Sequence, residues 1–276
     1  MRVCTLGDLL LDVIVRQEDE PATPAHERRA RTLVGAGGQA ANVAAWAVTL
    51  GVDSRFVGKR GTDAAGEIAT REVEQRGVEV VGPIVEGRNG VVVSLVGTDG
   101  ARTMISDRGV APELRAEELD MGWFRECDWL HIAGYSLFRG PIDEAAAKAA
   151  GAIRALGGRL SVDLSSASAI EAFGPERLVD RLALLAPDVV FANEDEQQAL
   201  GAAVPGAVTV LKRGPDGIVV RGEGEEAFPA LPVDVVDSTG AGDALAAGFL
   251  VGGAALALRT AARCVGRLGA MPPAGW

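Results

Sequence analysis

The sequence is poor in the side chains that most often form metal sites and nucleophilic centres. Its 276 residues include only 2 His and 3 Cys, and the cysteines (Cys4, Cys127 and Cys264) are far apart. Because transition-metal sites are built mainly from clustered His and Cys, no such site is expected, and neither is a Cys–His nucleophile. The cysteine spacing predicts no disulfide framework. His26, in a polar stretch, and His131, in an apolar one, are interpreted as structural residues.

Positive charge and long apolar runs are also scarce. Lys and Arg together number 27 against 38 Asp and Glu, a net charge of −11, and an acidic chain repels the phosphates of nucleic acids. The longest uncharged apolar run, residues 244–258, is shorter than the roughly 20 residues of a membrane span. The N-terminal segment reaches Asp8 too early for a secretion signal. We therefore expect a cytoplasmic protein that binds neither nucleic acid nor membrane.

Short apolar runs alternate with alanine-rich stretches of helical periodicity along most of the chain. This alternation predicts an α/β fold in which a mostly parallel sheet is covered by helices on both faces. The predicted strands are residues 1–6, 55–57, 78–81, 129–133, 160–164, 189–192, 208–212 and 217–220. The predicted helices are residues 39–50, 64–76, 142–156, 175–185 and 194–200.

Two segments break this rhythm and are predicted to form a separate small sheet. Residues 12–34 and 90–107 each contain two extended runs with no helix between them, and the Asp99–Gly100 step is a hairpin signal. An antiparallel sheet built from both segments would stand apart from the main layer and could serve as a lid. The predicted division is an α/β domain of residues 1–11, 35–89 and 108–276, and a β lid of residues 12–34 and 90–107.

The most informative run spans residues 237–243 (Asp-Ser-Thr-Gly-Ala-Gly-Asp), directly before an apolar helix. The first N–H groups of a helix have no partner inside it, and together with the helix dipole they favour a phosphoryl group. A carboxylate in the first turn, such as that of Asp243, can accept a proton from an attacking hydroxyl. A capped glycine turn would explain the small residues alone, but the two acids that bracket them favour a catalytic site.

This run resembles the C-terminal signature of the PfkB, or ribokinase-like, carbohydrate kinases. Residues 35–44 (Gly-Ala-Gly-Gly-Gln-Ala-Ala-Asn-Val-Ala) resemble the N-terminal glycine-rich signature of that family, and Asn193 and Glu196 match its Asn-x-x-Glu motif. The two irregular segments fall where the family carries its lid. The resemblance covers the whole chain. It implies a ribokinase-like three-layer sandwich with a small β-sheet lid, and ATP-dependent phosphorylation of a hydroxyl, usually a primary alcohol, of a sugar.

For the phosphoryl-transfer site, the resemblance implies that Asp243 is the catalytic base. The backbone N–H groups of Gly240, Ala241 and Gly242, with that of Asp243, would stabilise the charge that develops on the γ-phosphoryl group of ATP. The intact glycine cradle and the intact acid argue against a catalytically silent sugar or nucleotide sensor on the same fold.

For the nucleotide, the resemblance implies that Asn193 and Glu196 organise Mg²⁺ and the phosphates, although a helix cap with an acidic turn would account for the same pair. Lys212, Gly214 and Gly217 belong to a run that resembles the loop beside ATP, and a plain hairpin turn is the alternative there. The implied metal-binding residues are Glu196 for Mg²⁺, through water, and Asp237 and Thr239 for a monovalent cation such as K⁺.

For the substrate, Asp12 follows the first strand where the chain leaves for the lid. A carboxylate at that place can bind two adjacent sugar hydroxyls, and Asp8 competes for the role. Asn42 offers both a donor and an acceptor, while the backbone at Gly37 and Gly38 lets a sugar approach closely.

The sequence departs from the family pattern where the substrate would be selected. The segment after residues 129–133 lacks the glutamate of ribokinases, and Tyr135 there could stack on the substrate or cover the pocket. Residues 162–165 lack the Asp-x-Asn-x-Arg run of fructokinases and ketodeoxygluconate kinases, so an acidic or phosphorylated sugar has no evident partner. Arg102, Arg108 and Arg139 are candidate substitutes. The substrate is therefore left open between a sugar and, as the alternative, a ribonucleoside.

Two further interpretations concern function and assembly. Residues 35–40 satisfy a loose Gly-x-Gly-x-x-Ala fingerprint of nicotinamide-dependent oxidoreductases, but that fingerprint should follow the first strand of a βαβ unit. Val13, Val15, Val91 and Val93 alternate as the residues of one covered face would. This alternation, with the resemblance, predicts a homodimer through the lid, and a monomer with a short lid is the alternative.

Overall fold

The computed structural model describes residues 1–18, 29–98 and 102–275. In chain order its strands are β1 (Arg2–Leu6), β2 (Leu10–Gln17), β3 (Ala30–Gly37), β4 (Asp53–Val57), β5 (Arg60–Gly61), β6 (Glu79–Val81), β7 (Ile84–Val85), β8 (Asn89–Val96), β9 (Arg102–Gly109), β10 (Trp129–Ala133), β11 (Arg159–Asp163), β12 (Val189–Asn193), β13 (Val208–Lys212), β14 (Ile218–Arg221) and β15 (Glu225–Phe228). Its helices are α1 (Gln39–Thr49), α2 (Ala64–Gln75), α3 (Ile142–Ala155), α4 (Ala167–Phe173), α5 (Pro175–Leu185), α6 (Glu194–Leu200) and α7 (Ala241–Val265).

The main layer is a nine-stranded sheet in the order β15-β14-β13-β12-β11-β10-β1-β4-β6. All neighbours from β13 to β6 are parallel, as expected when crossover connections join the strands. β14 and β15 add an antiparallel hairpin at one edge. The predicted mostly parallel α/β sheet is therefore confirmed. β15 was not predicted, because its two acidic residues at an exposed edge give no apolar signal.

Helices cover both faces of this sheet and complete the three layers. One core lies between the sheet and α3 to α6, and a second lies between the sheet and α1, α2 and α7. Alanines such as Ala244, Ala246 and Ala247 in α7 are fully buried, which lets this helix approach the sheet closely. By length and composition α7 could cross a membrane, but half of its apolar window is buried in the protein, and its helical geometry breaks at Gly252 and Gly253.

The lid is a four-stranded sheet in the order β3-β2-β8-β9. Its outer pairs are antiparallel, but the central pair, β2 and β8, is parallel. The expectation of an antiparallel lid is therefore wrong at its centre, because both strands leave the main layer side by side, with Leu10 opposite Gly90. The Asp99–Gly100 turn and His26 lie outside the described residues. The division of the chain at residues 12–34 and 90–107 stays a prediction.

The expectation that the cysteines form no disulfide is wrong for two of them. Cys4 and Cys127 are bonded, and their Cα atoms are 5.9 Å apart. Cys4 lies in β1 and Cys127 precedes β10, which is the neighbouring strand, so the sheet order brings together residues that are 123 positions apart in the chain. Cys264 is a free, buried thiol, and burial raises its pKa to about 12.

Replacing Leu130 tests the position of the first core. Leu130 lies in β10 and is fully buried, so we expect Leu130→Ala to lower the free energy of unfolding by about 2–5 kcal/mol. The matched control is Leu184→Ala, because the side chain of Leu184 is 89% exposed and its loss should change stability by less than about 0.5 kcal/mol. Urea unfolding monitored by circular dichroism gives both values, and equal effects of the two changes would contradict this packing.

Candidate active site

The carboxyl ends of the parallel strands and the inner face of the lid enclose a cavity of about 360 Å³. Ligands of open α/β sheets bind at this edge, and the volume suits a small ligand. The predicted site residues that line the cavity are Asp12, Gly38, Asn42, Tyr135, Thr239, Gly240 and Asp243. The others lie in neighbouring strand ends, helix starts and turns, and their surroundings are given below.

The run at residues 237–243 forms the start of α7, as predicted. Gly240 has a φ of +75°, and a Cβ at this position would lie 2.6 Å from the backbone of Ala270, so only glycine fits the turn. A Cβ on Gly242 would come within 3.5 Å of the Lys212 Nζ. The N–H of Ala241 makes a 3.3 Å hydrogen bond to the Ser238 carbonyl, so this one of the predicted donors already has a partner. The helix start has the shape of an anion cradle.

Asp243 lies in the first turn of α7, and its side chain is nearly out of contact with water at 8% exposure. The Asn42 Nδ2 donates a 2.7 Å hydrogen bond to its Oδ2. Burial raises the pKa of Asp243 to about 7, although the Asn42 hydrogen bond acts in the opposite direction. A carboxyl group with a pKa near neutrality can accept a proton at physiological pH, as a general base must.

The side-chain oxygen of Asn42 is the second notable feature of this contact. Among the described residues it has no hydrogen-bond partner, although it is buried. A buried polar atom without a partner is costly, and one that adjoins a ligand cavity fits a hydroxyl of a bound ligand.

Asp237 holds the loop that leads to α7. Its Oδ1 accepts hydrogen bonds from the Thr239 backbone N–H at 2.9 Å and from the Thr239 hydroxyl at 2.6 Å. Its Oδ2 accepts one from the Gly269 N–H at 3.0 Å. These contacts tie the loop to the segment that follows α7. The monovalent-cation site at Asp237 and Thr239 stays a prediction.

On the substrate side, the lid and the main layer meet at the glycines. A Cβ on Gly37 would overlap the Asp12 carboxylate. A Cβ on Gly38 would likewise overlap the backbone carbonyl oxygen of Asp8. The Asp12 side chain therefore faces the cavity beside flat backbone, which is the arrangement predicted for binding sugar hydroxyls. The ring of Tyr135 is 37% exposed at the cavity, where it can contact a ligand.

Asp8 has a partner that the sequence alone did not assign to it. Arg108, in lid strand β9, donates hydrogen bonds to both Asp8 carboxylate oxygens, one of them from Nη2 at 2.8 Å. Its guanidinium lies 5.6 Å from the centre of the Tyr135 ring. The charge of Arg108 is therefore already compensated, which weakens it as the partner of an acidic sugar. Arg139 does not line the cavity, and the side chain of Arg102 lies outside the described residues.

On the nucleotide side, Asn193 and Glu196 form a reciprocal cap at the start of α6. The Asn193 Oδ1 accepts from the Glu196 N–H at 2.7 Å, and the Glu196 Oε2 accepts from the Asn193 N–H at 2.8 Å. The helix-cap alternative is thus realised, and a role towards Mg²⁺ and phosphate stays a prediction. Gly214 and Gly217 belong to the turn between the antiparallel strands β13 and β14, so the hairpin alternative is also realised there.

Lys212 lies close to two acidic side chains. Its Nζ lies 2.8 Å from Asp163 Oδ2 and 3.7 Å from Glu196 Oε2. Asp163 was not among the predicted site residues. The signal was its place at the end of a strand parallel to the strand that ends at Asn193, because the carboxyl ends of parallel strands meet at one sheet edge. Burial raises the pKa of Glu196, and Lys212 opposes that shift.

In the described part of the chain, acidic side chains are not grouped closely enough to hold a metal ion without other ligands. Residues 1–18, 29–98 and 102–275 contain no group of three His, Cys, Asp or Glu side chains that could hold an ion. Mg²⁺ in kinases is held mostly by the phosphates, water and one or two carboxylates. Glu196, whose Oε2 lies 3.7 Å from Lys212 Nζ, is a carboxylate of the type that this limited role requires.

Comparison with known proteins agrees with the fold and the motifs. The family described as pfkB family carbohydrate kinase matches residues 1–271. An ATP-dependent ribose-1-phosphate kinase from Halopiger xanaduensis is 34% identical over 265 residues, which cover 91% of this chain and 84% of the relative. A fructokinase from Escherichia coli is 29% identical over 286 residues, covering 97% and 89%. The crystal structure of adenosine kinase from Sinorhizobium meliloti matches with a TM-score of 0.86 at 24% identity, covering 98% of this chain and 95% of that one.

These findings contradict the interpretation of residues 35–40 as the fingerprint of a nicotinamide-dependent oxidoreductase. That run joins lid strand β3 to α1, so it does not follow the first strand of a βαβ unit as the nicotinamide fingerprint requires. The match to the kinase family, in contrast, extends over nearly the whole chain. The chain belongs to the pfkB family of carbohydrate kinases, and it is a phosphotransferase that acts on a hydroxyl group of a sugar or nucleoside with ATP as the donor.

Proposed function

We propose that Asp243 is the base of this reaction and that the start of α7 is its anion hole. The observation that carries the proposal is the pairing of a buried carboxylate, hydrogen-bonded to Asn42, with a glycine turn at the same helix start. Burial brings the Asp243 pKa to about 7. The lid covers this site, so closure would keep water from competing with the substrate hydroxyl.

The substrate hydroxyl oxygen forms a bond to the γ-phosphorus of ATP, and the bond from that phosphorus to the β–γ bridging oxygen breaks. The leaving ADP takes the electron pair, and the hydroxyl proton passes to the Asp243 carboxylate. The N–H groups of Gly240 and Gly242, with the helix dipole, stabilise the charge on the phosphoryl oxygens during the transfer.

The nucleotide would lie along the strand ends next to this cradle. Lys212, Gly214 and Gly217 border it from the β13–β14 turn, and Asn193 and Glu196 border it from α6. Mg²⁺ bound with the nucleotide supplies positive charge to the phosphates. Asp237 and Thr239 are the residues we assign to a monovalent cation such as K⁺.

The substrate that fits the cavity is an uncharged sugar with a primary hydroxyl. Asp8, Asp12 and Asp243 line the cavity, and Arg108, the one cation among its described lining residues, is paired with Asp8. A phosphate on the substrate would therefore meet net negative charge. Asp12, the Gly37–Gly38 backbone and Asn42 would bind the sugar hydroxyls. The exposed ring of Tyr135 favours a ribonucleoside as the second candidate, since an aromatic base could stack on it.

We assign the enzyme to the cytoplasm and expect it to pair through the lid. The strand register aligns Val34, Val13, Val93 and Ile105 in one row across all four lid strands. This row lies on the face opposite Asp12, because neighbouring residues of a strand point to opposite sides. Val34 and Ile105 are 45% and 58% exposed. An apolar sheet face of this kind suits a two-fold contact with a second copy.

A coupled ADP-release assay tests the activity and the base together. The panel with ATP and Mg²⁺ holds ribose, fructose, glucose, adenosine, other ribonucleosides and pseudouridine, with ketodeoxygluconate, ribose-1-phosphate and fructose phosphates as charged compounds, each tried with and without K⁺. We expect turnover of one of the uncharged compounds. Asp243→Asn should keep ATP binding but lose about 10²–10⁴-fold in kcat. The control is Asp53→Asn, because Asp53 is exposed on β4 away from the cavity, and it should not change kcat.

Two results would contradict the proposal. Near-normal turnover by purified Asp243→Asn would remove Asp243 from the base role. Turnover of ribose-1-phosphate or a fructose phosphate in preference to every neutral compound would contradict the uncharged substrate. ATP binding without any turnover would favour the silent sensor.

The pH dependence of kcat/KM tests the state of Asp243 in the free enzyme. A base works only when it is deprotonated, so kcat/KM should rise with pH and level off above about 7, where burial places the Asp243 pKa. Asn42 lowers this pKa through its hydrogen bond, so Asn42→Ala should move the rise to higher pH. A rise centred near pH 4, or an unchanged midpoint in Asn42→Ala, would contradict the assigned environment.

Light scattering tests the pairing through the lid. We expect the wild type to be a dimer and Ile105→Glu to be a monomer, because a carboxylate at the centre of an apolar contact is left desolvated. Leu184→Glu, which adds the same charge at a side chain 89% exposed on α5, should stay dimeric. A monomeric wild type would refute the pairing.

A further inference from the structure

The acids around Lys212 form a cluster at the carboxyl edge of three adjacent strands. Asp163 ends β11, Glu196 follows β12, and Lys212 ends β13. The side chains of Asp163 and Glu196 are only 1% and 5% exposed, and that of Lys212 is 15% exposed. Buried charges cost free energy unless they are paired, and in this cluster two carboxylates face a single ammonium.

The direction of the Lys212 side chain supplies the second observation. The strand order is β13-β12-β11, so Lys212 must reach across β12 to place its Nζ 2.8 Å from Asp163. On the way it passes Gly242, where a Cβ would lie 3.5 Å from Nζ and 3.7 Å from Cδ. The ammonium therefore lies beside Gly242, the second glycine of the anion cradle.

The charge state of Lys212 is set by the same contacts. Burial acts against the ammonium, but Asp163 and Glu196 outweigh it and raise the pKa of Lys212. Glu196 is the more distant partner and is also engaged in the helix cap with Asn193, so Asp163 provides the main anchor.

We propose that Lys212 is a catalytic residue whose ammonium contacts the phosphoryl group during its transfer, and that Asp163 is the positioning residue that aims Lys212 at the cradle. This inference rests on the proposed function of Asp243 and the start of α7. It goes beyond a nucleotide-binding role for Lys212, because contact made with the transferring group raises kcat, whereas contact made equally with bound ATP affects only KM.

The chemistry leaves the lysine proton in place. While the bond to ADP breaks and the bond to the sugar oxygen forms, negative charge spreads over the phosphoryl oxygens. The ammonium donates hydrogen bonds to that charge, and the hydroxyl proton goes to Asp243. A lysine side chain is flexible, so the N–H bound to Asp163 fixes its direction, and an N–H that neither Asp163 nor Glu196 engages is left for the phosphoryl group.

The test is a double-mutant cycle on the substrate found in the ADP-release assay. Lys212→Met should lower kcat by about 10²–10³-fold, the effect of losing one such donor, with little change in the sugar KM. Asp163→Asn should lower kcat by about tenfold through its effect on Lys212, and Asp163→Glu, which keeps the carboxylate, should retain more. The double variant Lys212→Met/Asp163→Asn should match Lys212→Met alone, because Asp163 acts through the lysine.

A second pair of variants separates catalysis from folding. Lys212→Met leaves Asp163 buried without its cation, whereas the double variant removes both charges and should regain thermal stability while kcat stays low. Lys59 is a matched control, since it is 7% exposed and bound to Glu118 at 2.7 Å, away from the cavity. Lys59→Met/Glu118→Gln should keep the wild-type kcat.

The outcomes are distinct. A folded Lys212→Met/Asp163→Asn enzyme with kcat within about threefold of the wild type would overturn the role of Lys212 and leave the proposed function standing. Additive effects of the two single changes would overturn the positioning role of Asp163. A wild type that binds ATP but turns over no substrate would overturn both this inference and the proposed function.

Discussion

A carboxylate kept out of water at the start of a helix is the constraint on which this active site depends. Asp243 is buried by the lid, α1 and the segment after α7, and the same burial brings its pKa to about 7. Without that desolvation the carboxylate would be a weak base. Asn42, which donates a hydrogen bond to Asp243, is 201 positions away in the chain. Asp237 holds the loop that leads to α7. The base is therefore formed only in the completed fold.

The main layer and the signature turn could be predicted from sequence because local signals specify both. Apolar runs and helical periodicity identified the strands and helices of the parallel sheet, and residues 237–243 identified the helix start. The parallel pairing of β2 with β8 could not be predicted, because it depends on where two distant segments leave the sheet. The Cys4–Cys127 bond was missed for the same reason, since it depends on the order of the strands.

Within the site, the residues that belong to a sequence motif could be predicted, and those outside any motif could not. Asp243, Gly240 and Asn42 carry strong patterns, and they meet at one place. Asp163 carries none, because a single acid at the end of a strand looks like a solvated one until its neighbour strand is known. The pair of Arg108 and Asp8 could not be inferred either, because it joins the lid to the main layer across 100 positions of the chain.

The attachment of the lid has a mechanical consequence. β2 and β8 enter the lid as adjacent parallel strands, and Asn89 links their bases by donating to the Leu9 carbonyl at 3.0 Å while accepting from the Gly61 N–H at 3.2 Å. Because the two strands are joined at their bases, the four-stranded sheet is attached to the main layer at one place. Asp12 and Arg108 lie on different strands of that unit, so the Asp12 carboxylate at the cavity and the ion pair of Arg108 with Asp8 depend on one attachment to the main layer.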